Sequence, residues 1–210
     1  SALAIGAVAY AKEFGEDRRV RKWLEQSVFS LRTFGDLYAI DGSYDEGVSY
    51  ANYTSSHIAQ ATVVLERYNG LSLYDEINWA GYVDYLYGMS MATYANPAGI
   101  VNFGDASGAA TAAVPYWVAS RTGDRRARWY GDVLSKERDM WALLWHPEGV
   151  VASPANQGLT LWHSALDWMV ARTGYRADDL VVAMRSVGPA NHEHEDRNSI
   201  VVKWGGEALV

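Results

Sequence analysis

The sequence predicts an α+β protein in which antiparallel helix pairs form part of an α/α toroid, followed by the first strands of an antiparallel β-sandwich. Through most of the chain, apolar residues recur at helical spacing between breaks marked by Gly, Asp and Pro. Near the end, two short segments are rich in β-branched residues, and a Gly-Gly pair follows the second. We expect a partial toroid domain over residues 1–176 and the start of a sandwich domain over residues 177–210.

The helical part is divided by local start and stop signals. The acidic pair Glu16-Asp17 suits the N-terminal end of the second helix, because negative charge is favourable at that end. Asn69-Gly70 suits the C-terminal end of the third helix. Segment 145–157 is expected to be irregular. The predicted helices cover about residues 2–13, 18–35, 49–68, 74–93, 109–121 and 125–144, and residues 159–172 are predicted to be helical or partly helical.

The β part is predicted from two segments, residues 180–187 and 199–204. Gly205-Gly206 is a natural hairpin turn, after which residues 208–210 would begin a return strand. A strand edge left open at this point is typical of a sheet that continues. We therefore expect the chain to be a fragment of a longer protein.

Composition excludes several classes of function. The 210 residues are 49% hydrophobic and 20% charged, which is typical of a globular protein, and no cysteine is available for disulfides or thiol chemistry. A net charge of −7 with mostly scattered basic residues argues against duplex nucleic acid, and no apolar run is long enough to span a membrane. Nine Trp and fourteen Tyr are compatible with a carbohydrate cleft, since aromatic faces stack on sugar rings, but composition alone favours a core rich in large side chains.

One candidate site is the segment Asn191-His192-Glu193-His194-Glu195-Asp196, which holds two of the five histidines. In an extended backbone His192 and His194 would point to the same side. Imidazole can carry protons near neutral pH, and with Asp196 it could form part of a metal site. The alternative is a solvated acidic turn in which the histidines are incidental.

A second candidate site is the segment Asp41-Gly-Ser-Tyr-Asp-Glu46, which leads into a helix carrying Tyr50 and Tyr53. The two tyrosines are three positions apart and therefore share one helix face. A tyrosine at a helix start beside glycines can reach a cleft and exchange a proton. The alternative is an aromatic pair that packs the helix onto its neighbour.

The remaining motifs give weaker evidence of a functional site. The segment Asn102 to Gly108 is glycine-rich, but no lysine follows where a phosphate-binding loop needs one, so we interpret it as a structural or cleft-edge loop. His57, His146 and His163 are isolated and are interpreted as packing or surface residues. No Gly-x-Ser-x-Gly nucleophile motif is present, which argues against a serine hydrolase of that type.

Taken together, the two candidate sites resemble a known family. The segment from Asp41 to Glu46, followed by Tyr50, is similar to the "DGxxxEG…Y" segment of heparinase II/III-type polysaccharide lyases, and residues 191–196 are similar to their "HxHxD" segment. The resemblance implies that Tyr50 and His192 are catalytic and that His194 binds a structural zinc ion. It also implies an acidic polysaccharide or oligosaccharide as substrate and a periplasmic or secreted location. Residues expected to contact the substrate are Glu46, Tyr53 and Asn191.

The implied reaction is β-elimination at a uronic acid. The enzyme must neutralise the uronate carboxylate, remove the adjacent proton and protonate the departing glycosidic oxygen. Tyr50 and His192 would share the two proton transfers, in an order that depends on the sugar's configuration. The family's carboxylate-binding Asn or His would precede Ser1, and its other metal ligands would follow Val210. We therefore expect the fragment to be inactive alone and its retention of zinc to be doubtful; a homo-oligomer is compatible with the sequence.

Two other classes of function stay open at this point. A glycoside hydrolase on an α/α toroid would use paired carboxylates such as Asp41 and Glu46. A non-catalytic carbohydrate-binding member of the family would bind the glycan without turnover.

Overall fold

The computed structural model describes residues 1–154, 160–186 and 198–209, and it has the α+β class that the sequence predicts. Seven α-helices precede the sheet within these residues, together with a short 3-10 turn at Tyr74–Glu76 and a π-helical turn at Tyr130–Leu134. None of these helices is long and apolar enough to cross a membrane. The helices are α1 (Ala2–Phe14), α2 (Arg18–Gly35), α3 (Val48–Asn69), α4 (Trp79–Met89), α5 (Ala113–Thr122), α6 (Arg125–Trp129) and α7 (Met140–Leu144).

The first three helices have the predicted positions, and local caps mark the start of α2 and the end of α3. The Asp17 carboxylate accepts hydrogen bonds from the backbone N–H groups of Arg19 and Val20 at the start of α2. Gly70 ends α3 in a left-handed conformation, with φ 79° and ψ 3°. Apolar residues on α2 and α3, including Leu24 and Leu65, are buried in one core.

A single antiparallel sheet follows the helices. Its five strands are hydrogen-bonded in chain order, which is the arrangement of a β-meander. The predicted strands at 180–187 and 199–204 and the turn at Gly205-Gly206 are confirmed within the described residues. The strands are β1 (Thr160–His163), β2 (Trp168–Arg172), β3 (Val181–Arg185), β4 (Ser199–Trp204) and β5 (Glu207–Ala208).

The prediction of helical structure at residues 159–172 is wrong, because β1 and β2 occupy this part of the chain. In β2, the side chains of Trp168, Val170 and Arg172 are buried, whereas Met169 between them is 39% exposed. This alternation has the period of a strand. The domain division at 176/177 stays a prediction; β1 and β2 lie on its N-terminal side.

The long helix predicted over 125–144 is also wrong, because it is interrupted between α6 and α7. The backbone N–H of Ser135 bonds to the carbonyl of Tyr130, which closes the π-helical turn. The chain then pairs with an earlier loop: the Lys136 N–H donates to the Ala110 carbonyl, at 3.0 Å, and the Ala112 N–H donates to the Glu137 carbonyl, at 3.0 Å. These tertiary hydrogen bonds replace the helical ones.

The fourth predicted helix ends earlier than expected, at Met89 instead of Thr93. Beyond it, Met91 and Val101 take part in backbone hydrogen bonds between residues 89–91 and 99–101. Residues 89–91 therefore form extended backbone hydrogen bonds with residues 99–101 in place of the last predicted helical turn.

Two buried cationic side chains, Arg172 and Lys203, attach the sheet to the helical part. They bind backbone carbonyls at the C-terminal end of α4 and in the segment that follows it. Arg172 donates from Nη1 to the Ser90 carbonyl, at 2.6 Å, and from Nη2 to the Gly88 carbonyl. Lys203 donates from Nζ to the carbonyls of Ala92, Arg176 and Ala177, at 2.8–3.0 Å. Burial lowers the pKa of Arg172 to about 10. Cations suit this position because the carbonyls at a helix C-terminus carry partial negative charge.

Candidate functional site

The loop that contains the segment Asp41 to Glu46, residues 41–47, is here called the site loop. A glycine is required near each of its ends. Gly42 has φ 81°, and a β-carbon there would collide with the backbone nitrogen of Tyr82 in α4. Gly47 has φ 86°, and a β-carbon would stand 2.9 Å from both the Phe103 carbonyl oxygen and the Ala106 β-carbon. The glycines of the motif therefore let the site loop pack closely against two other parts of the helical domain.

Asp41 connects the site loop to the sheet. Its Oδ1 accepts a hydrogen bond from the Ser43 backbone N–H, at 3.1 Å, and its Oδ2 accepts one from the Ala165 N–H, at 2.7 Å. Ala165 lies in the turn between β1 and β2. The carboxylate is thus engaged in holding two backbone segments together.

Glu46, which the sequence suggested as a substrate contact, is partly buried at the other end of the site loop. Its Oε2 accepts a hydrogen bond from the Tyr44 hydroxyl at 3.3 Å. Burial is the main cause that raises the pKa of Tyr44 to about 12, so this phenol stays a neutral donor near neutral pH.

Tyr50 lies in the first turn of α3, directly after the site loop, where it is half-buried and packs against the core. Tyr53 follows one turn later and is 64% exposed. Its ring meets the His57 ring edge-on, with centroids 4.4 Å apart. His57 in turn contacts the Ser1 hydroxyl through Nδ1, at 2.9 Å, and burial lowers its pKa. The structure therefore leaves Tyr53 available to a ligand and gives His57 a packing role, as the sequence suggested for isolated histidines.

The glycine-rich segment 102–108, together with residues 109–111, covers the N-terminal end of α3. Ser49 Oγ accepts hydrogen bonds from the backbone N–H groups of Ser107 and Gly108, at 2.9 and 3.3 Å. Asn52 Oδ1 accepts one from the Thr111 N–H, at 3.1 Å. Its interpretation as a structural loop agrees with these contacts. The roles of Ser49 and Asn52 were missed, although polar residues beside Tyr50 and Tyr53 were a signal that could have indicated them.

A buried cation lies where the sheet meets the site loop. Arg185, the last residue of β3, is only 2% exposed, and its guanidinium carbon is 5.2 Å from the centre of the Trp168 ring. Burial raises the pKa of Asp45 in the site loop, and the positive charge of Arg185 acts in the opposite direction. Sequence analysis did not single out Arg185, because nothing in a strand pattern shows which loop its end will meet.

The histidine-containing candidate site, residues 191–196, lies outside the described residues. Asn191, His192 and His194 belong to segment 187–197, which begins two residues after Arg185. Their roles, including the sharing of two proton transfers between His192 and Tyr50, stay predictions. Within residues 1–154, 160–186 and 198–209, no group of three or more His, Cys, Asp or Glu side chains could hold a metal ion. Zinc binding through His194 therefore also stays a prediction.

Comparison with known proteins supports the fold. No protein-family model matches this sequence. Among solved structures, the chain is similar to heparinase III, with a TM-score of 0.61 and 14% identity over 98% of this chain and 33% of that one. It is also similar to the heparan sulfate lyase HepC from Pedobacter heparinus, with a TM-score of 0.61 and 14% identity over 98% of this chain and 30% of that one. The chain thus spans about a third of the length of these lyases. At this identity, the similarity shows that the chain shares their fold.

Proposed function

We propose that the protein is a polysaccharide lyase that cleaves a uronic-acid-containing polysaccharide by β-elimination. The observation that carries this proposal is the similarity of nearly the whole chain to heparinase III and a heparan sulfate lyase, at TM-scores of 0.61. Tyr50 supports it, because it stands at the start of α3 where the site loop and segment 102–111 meet. A periplasmic or secreted location would suit such a substrate.

In the proposed reaction, Tyr50 and His192 divide two proton transfers. One removes the proton from the carbon next to the uronate carboxylate, and the electron pair of that bond forms a carbon–carbon double bond. The glycosidic carbon–oxygen bond breaks at the same sugar, and the other residue protonates the departing oxygen. Glu46, Tyr53 and Asn191 would position the sugar. His194 would hold the structural zinc ion, which would support this architecture.

The rival glycoside hydrolase is less well supported by the geometry. Such an enzyme needs one carboxylic acid to protonate the leaving oxygen and one carboxylate to act as base or nucleophile. Asp41 accepts backbone hydrogen bonds from Ser43 and Ala165 through its two oxygens. A carboxylate held in this way serves the architecture of the loop and is poorly placed to exchange a proton with a sugar.

The decisive experiment measures the products formed by the full-length protein from a panel of uronate polymers. Elimination creates an unsaturated uronate that absorbs ultraviolet light, and one such product forms for each new reducing end. New reducing ends without this absorbance would identify a hydrolase and overturn the proposal. Binding of a polymer with neither product would identify a non-catalytic carbohydrate-binding protein. The same assay on residues 1–210 alone tests the expectation that these residues are inactive by themselves.

A further inference from the structure

We infer that Lys136 binds the acidic group of the substrate beside Tyr50 and so selects anionic sugars. This inference rests on the proposed function and deepens it. It adds a residue that recognises the substrate's negative charge to the site that contains Tyr50. The chemistry that Lys136 would recognise is a carboxylate or a sulfate group on the glycan.

The backbone of Lys136 is held against the loop that covers α3. Its N–H donates to the Ala110 carbonyl at 3.0 Å, and the next residue, Glu137, accepts from the Ala112 N–H at 3.0 Å. These two bonds fix the interrupted segment between the π-helical turn and α7. Lys136 is thereby placed at a defined point of the site, even though it lies in an irregular segment.

The side chain of Lys136 lies over Gly108. A β-carbon on Gly108 would stand 3.5 Å from Lys136 Cδ and 3.8 Å from Nζ. Gly108 itself is hydrogen-bonded to the Ser49 hydroxyl, and Ser49 directly precedes Tyr50. The ammonium group therefore stands at the end of α3 that carries Tyr50.

The charge of Lys136 is available to a ligand. The residue is exposed, and its ammonium group makes no hydrogen bond or ion pair within the part of the chain that the structure describes. Its neighbours Arg128 and Arg138 differ, since both are committed to Asp132. An exposed ammonium group without a partner among the described residues can bind an incoming anion without first breaking one of their contacts.

The surroundings explain why such a cation is needed. The chain carries a net charge of −7, and the site loop contains the carboxyl groups of Asp41, Asp45 and Glu46. This charge would repel an acidic polysaccharide as it approached. Lys136 offers a local positive charge on the exposed side of the same site, whereas Arg185 is buried.

The test measures binding of a heparan sulfate oligosaccharide to the full-length protein at low and high salt. Replacing Lys136 with methionine keeps the length of the side chain and removes its charge. We expect the Lys136→Met variant to bind about two- to fivefold more weakly at low salt, with a smaller difference at high salt because exposed charges are screened. Lys136→Arg should bind like the parent. Lys22→Met is the matched control, since Lys22 is an exposed lysine near the start of α2, and the neighbouring Glu16 bonds to Tyr68 at the other end of α3 from Tyr50.

A second pair of variants tests the same charge without touching the lysine. Gly108→Asp places a carboxylate beside Lys136, where the β-carbon meets only ordinary contacts, and Gly108→Asn places an uncharged side chain of the same shape there. We expect the Asp variant to bind the oligosaccharide more weakly than the Asn variant. Equal binding by these two variants, or parent-like binding by Lys136→Met, would overturn the inference.

Two further probes separate the sources of negative charge. If a desulfated oligosaccharide loses affinity on Lys136→Met as the sulfated one does, the carboxylate is the group bound. If only the sulfated probe responds, the group bound is a sulfate. Product formation is scored separately: Lys136-dependent binding without unsaturated product would retain this inference and reject the lyase proposal, and the reverse result would reject only the inference.

Discussion

Asp41 and Ala165 join the helical part of the chain to the sheet through one hydrogen bond of 2.7 Å, across 124 positions of sequence. The same carboxylate also organises the site loop through Ser43. We expect Asp41→Ala to lower the free energy of unfolding by about 1 kcal/mol, because backbone donors lose a charged acceptor in a partly exposed place. Asp41→Asn should cost less, since an amide oxygen can still accept. Chemical denaturation measures both, with the exposed Asp36→Ala as control; equal losses at positions 36 and 41 would contradict the prediction.

Gly47 combines an unusual backbone conformation with a tight contact. Its φ of 86° and ψ of 173° belong to a region almost exclusive to glycine, and a β-carbon would also press on Phe103 and Ala106. Gly15 has a similar backbone, with φ 85° and ψ 161°, but nothing within 4 Å of its β-carbon position. We expect Gly15→Ala to show the backbone strain alone, about 1–3 kcal/mol, and Gly47→Ala to lose more stability. Similar losses in thermal or chemical unfolding would show that the contact has no effect.

Asp45 should make stability depend on pH. Burial, the largest cause, raises its pKa above the ordinary value of 3.8, with the charge of Arg185 acting in the opposite direction. A raised pKa means that this carboxyl group favours the folded state at low pH and that the contribution is lost as pH rises through the folded-state pKa. Asp45→Asn should therefore be more stable than the parent at neutral pH, and the difference should shrink in acid. An Asn variant less stable than the parent at neutral pH would show that the backbone hydrogen bonds of the Asp45 carboxylate and its attraction to Arg185 together outweigh burial.

We expect Arg172 to hold the sheet against the C-terminal end of α4. Its guanidinium donates to the carbonyls of Gly88 and Ser90 in a buried place. Arg172→Met would leave both buried carbonyls without this donor, so we expect a loss of about 3 kcal/mol in the free energy of unfolding. Arg176→Met, which removes an exposed guanidinium, serves as the control. A loss as small as that of the control would mean that water replaces the guanidinium.

Tyr50 should matter for turnover and little for stability. Tyr50→Phe removes only the hydroxyl that the proposed mechanism uses for proton transfer, so we expect kcat to fall roughly a hundredfold or more. The free energy of unfolding should change by about 1 kcal/mol or less. Tyr94→Phe is a matched control, because Tyr94 is 69% exposed and lies in another loop. Ultraviolet detection of the unsaturated product measures the activity; full activity of Tyr50→Phe would remove Tyr50 from the mechanism.

Local chemistry made part of this structure predictable. The caps at Asp17 and Gly70 act over only a few residues of the chain. The helix that begins after Asp17 and the helix that ends before Gly70 are both confirmed. The predicted segment 159–172 failed for the opposite reason. Its apolar residues fit either a helix or a strand, and the choice was made by the pairing of β2 with β3, in which Trp168 faces Arg185.

The sequence by itself determined the α+β class, the first helices and the site loop with its following tyrosines, because periodicity, caps and glycines express short-range physics. Only the tertiary structure decided that Asp41 ties the site loop to the sheet and that the charge of Arg185 acts on Asp45. It alone placed Lys136 over Gly108 beside the end of α3. These residues are far apart in sequence, and their meeting depends on strand pairing and on hydrogen bonds between loops. Such long-range contacts leave no periodic trace in the chain, since each is made once.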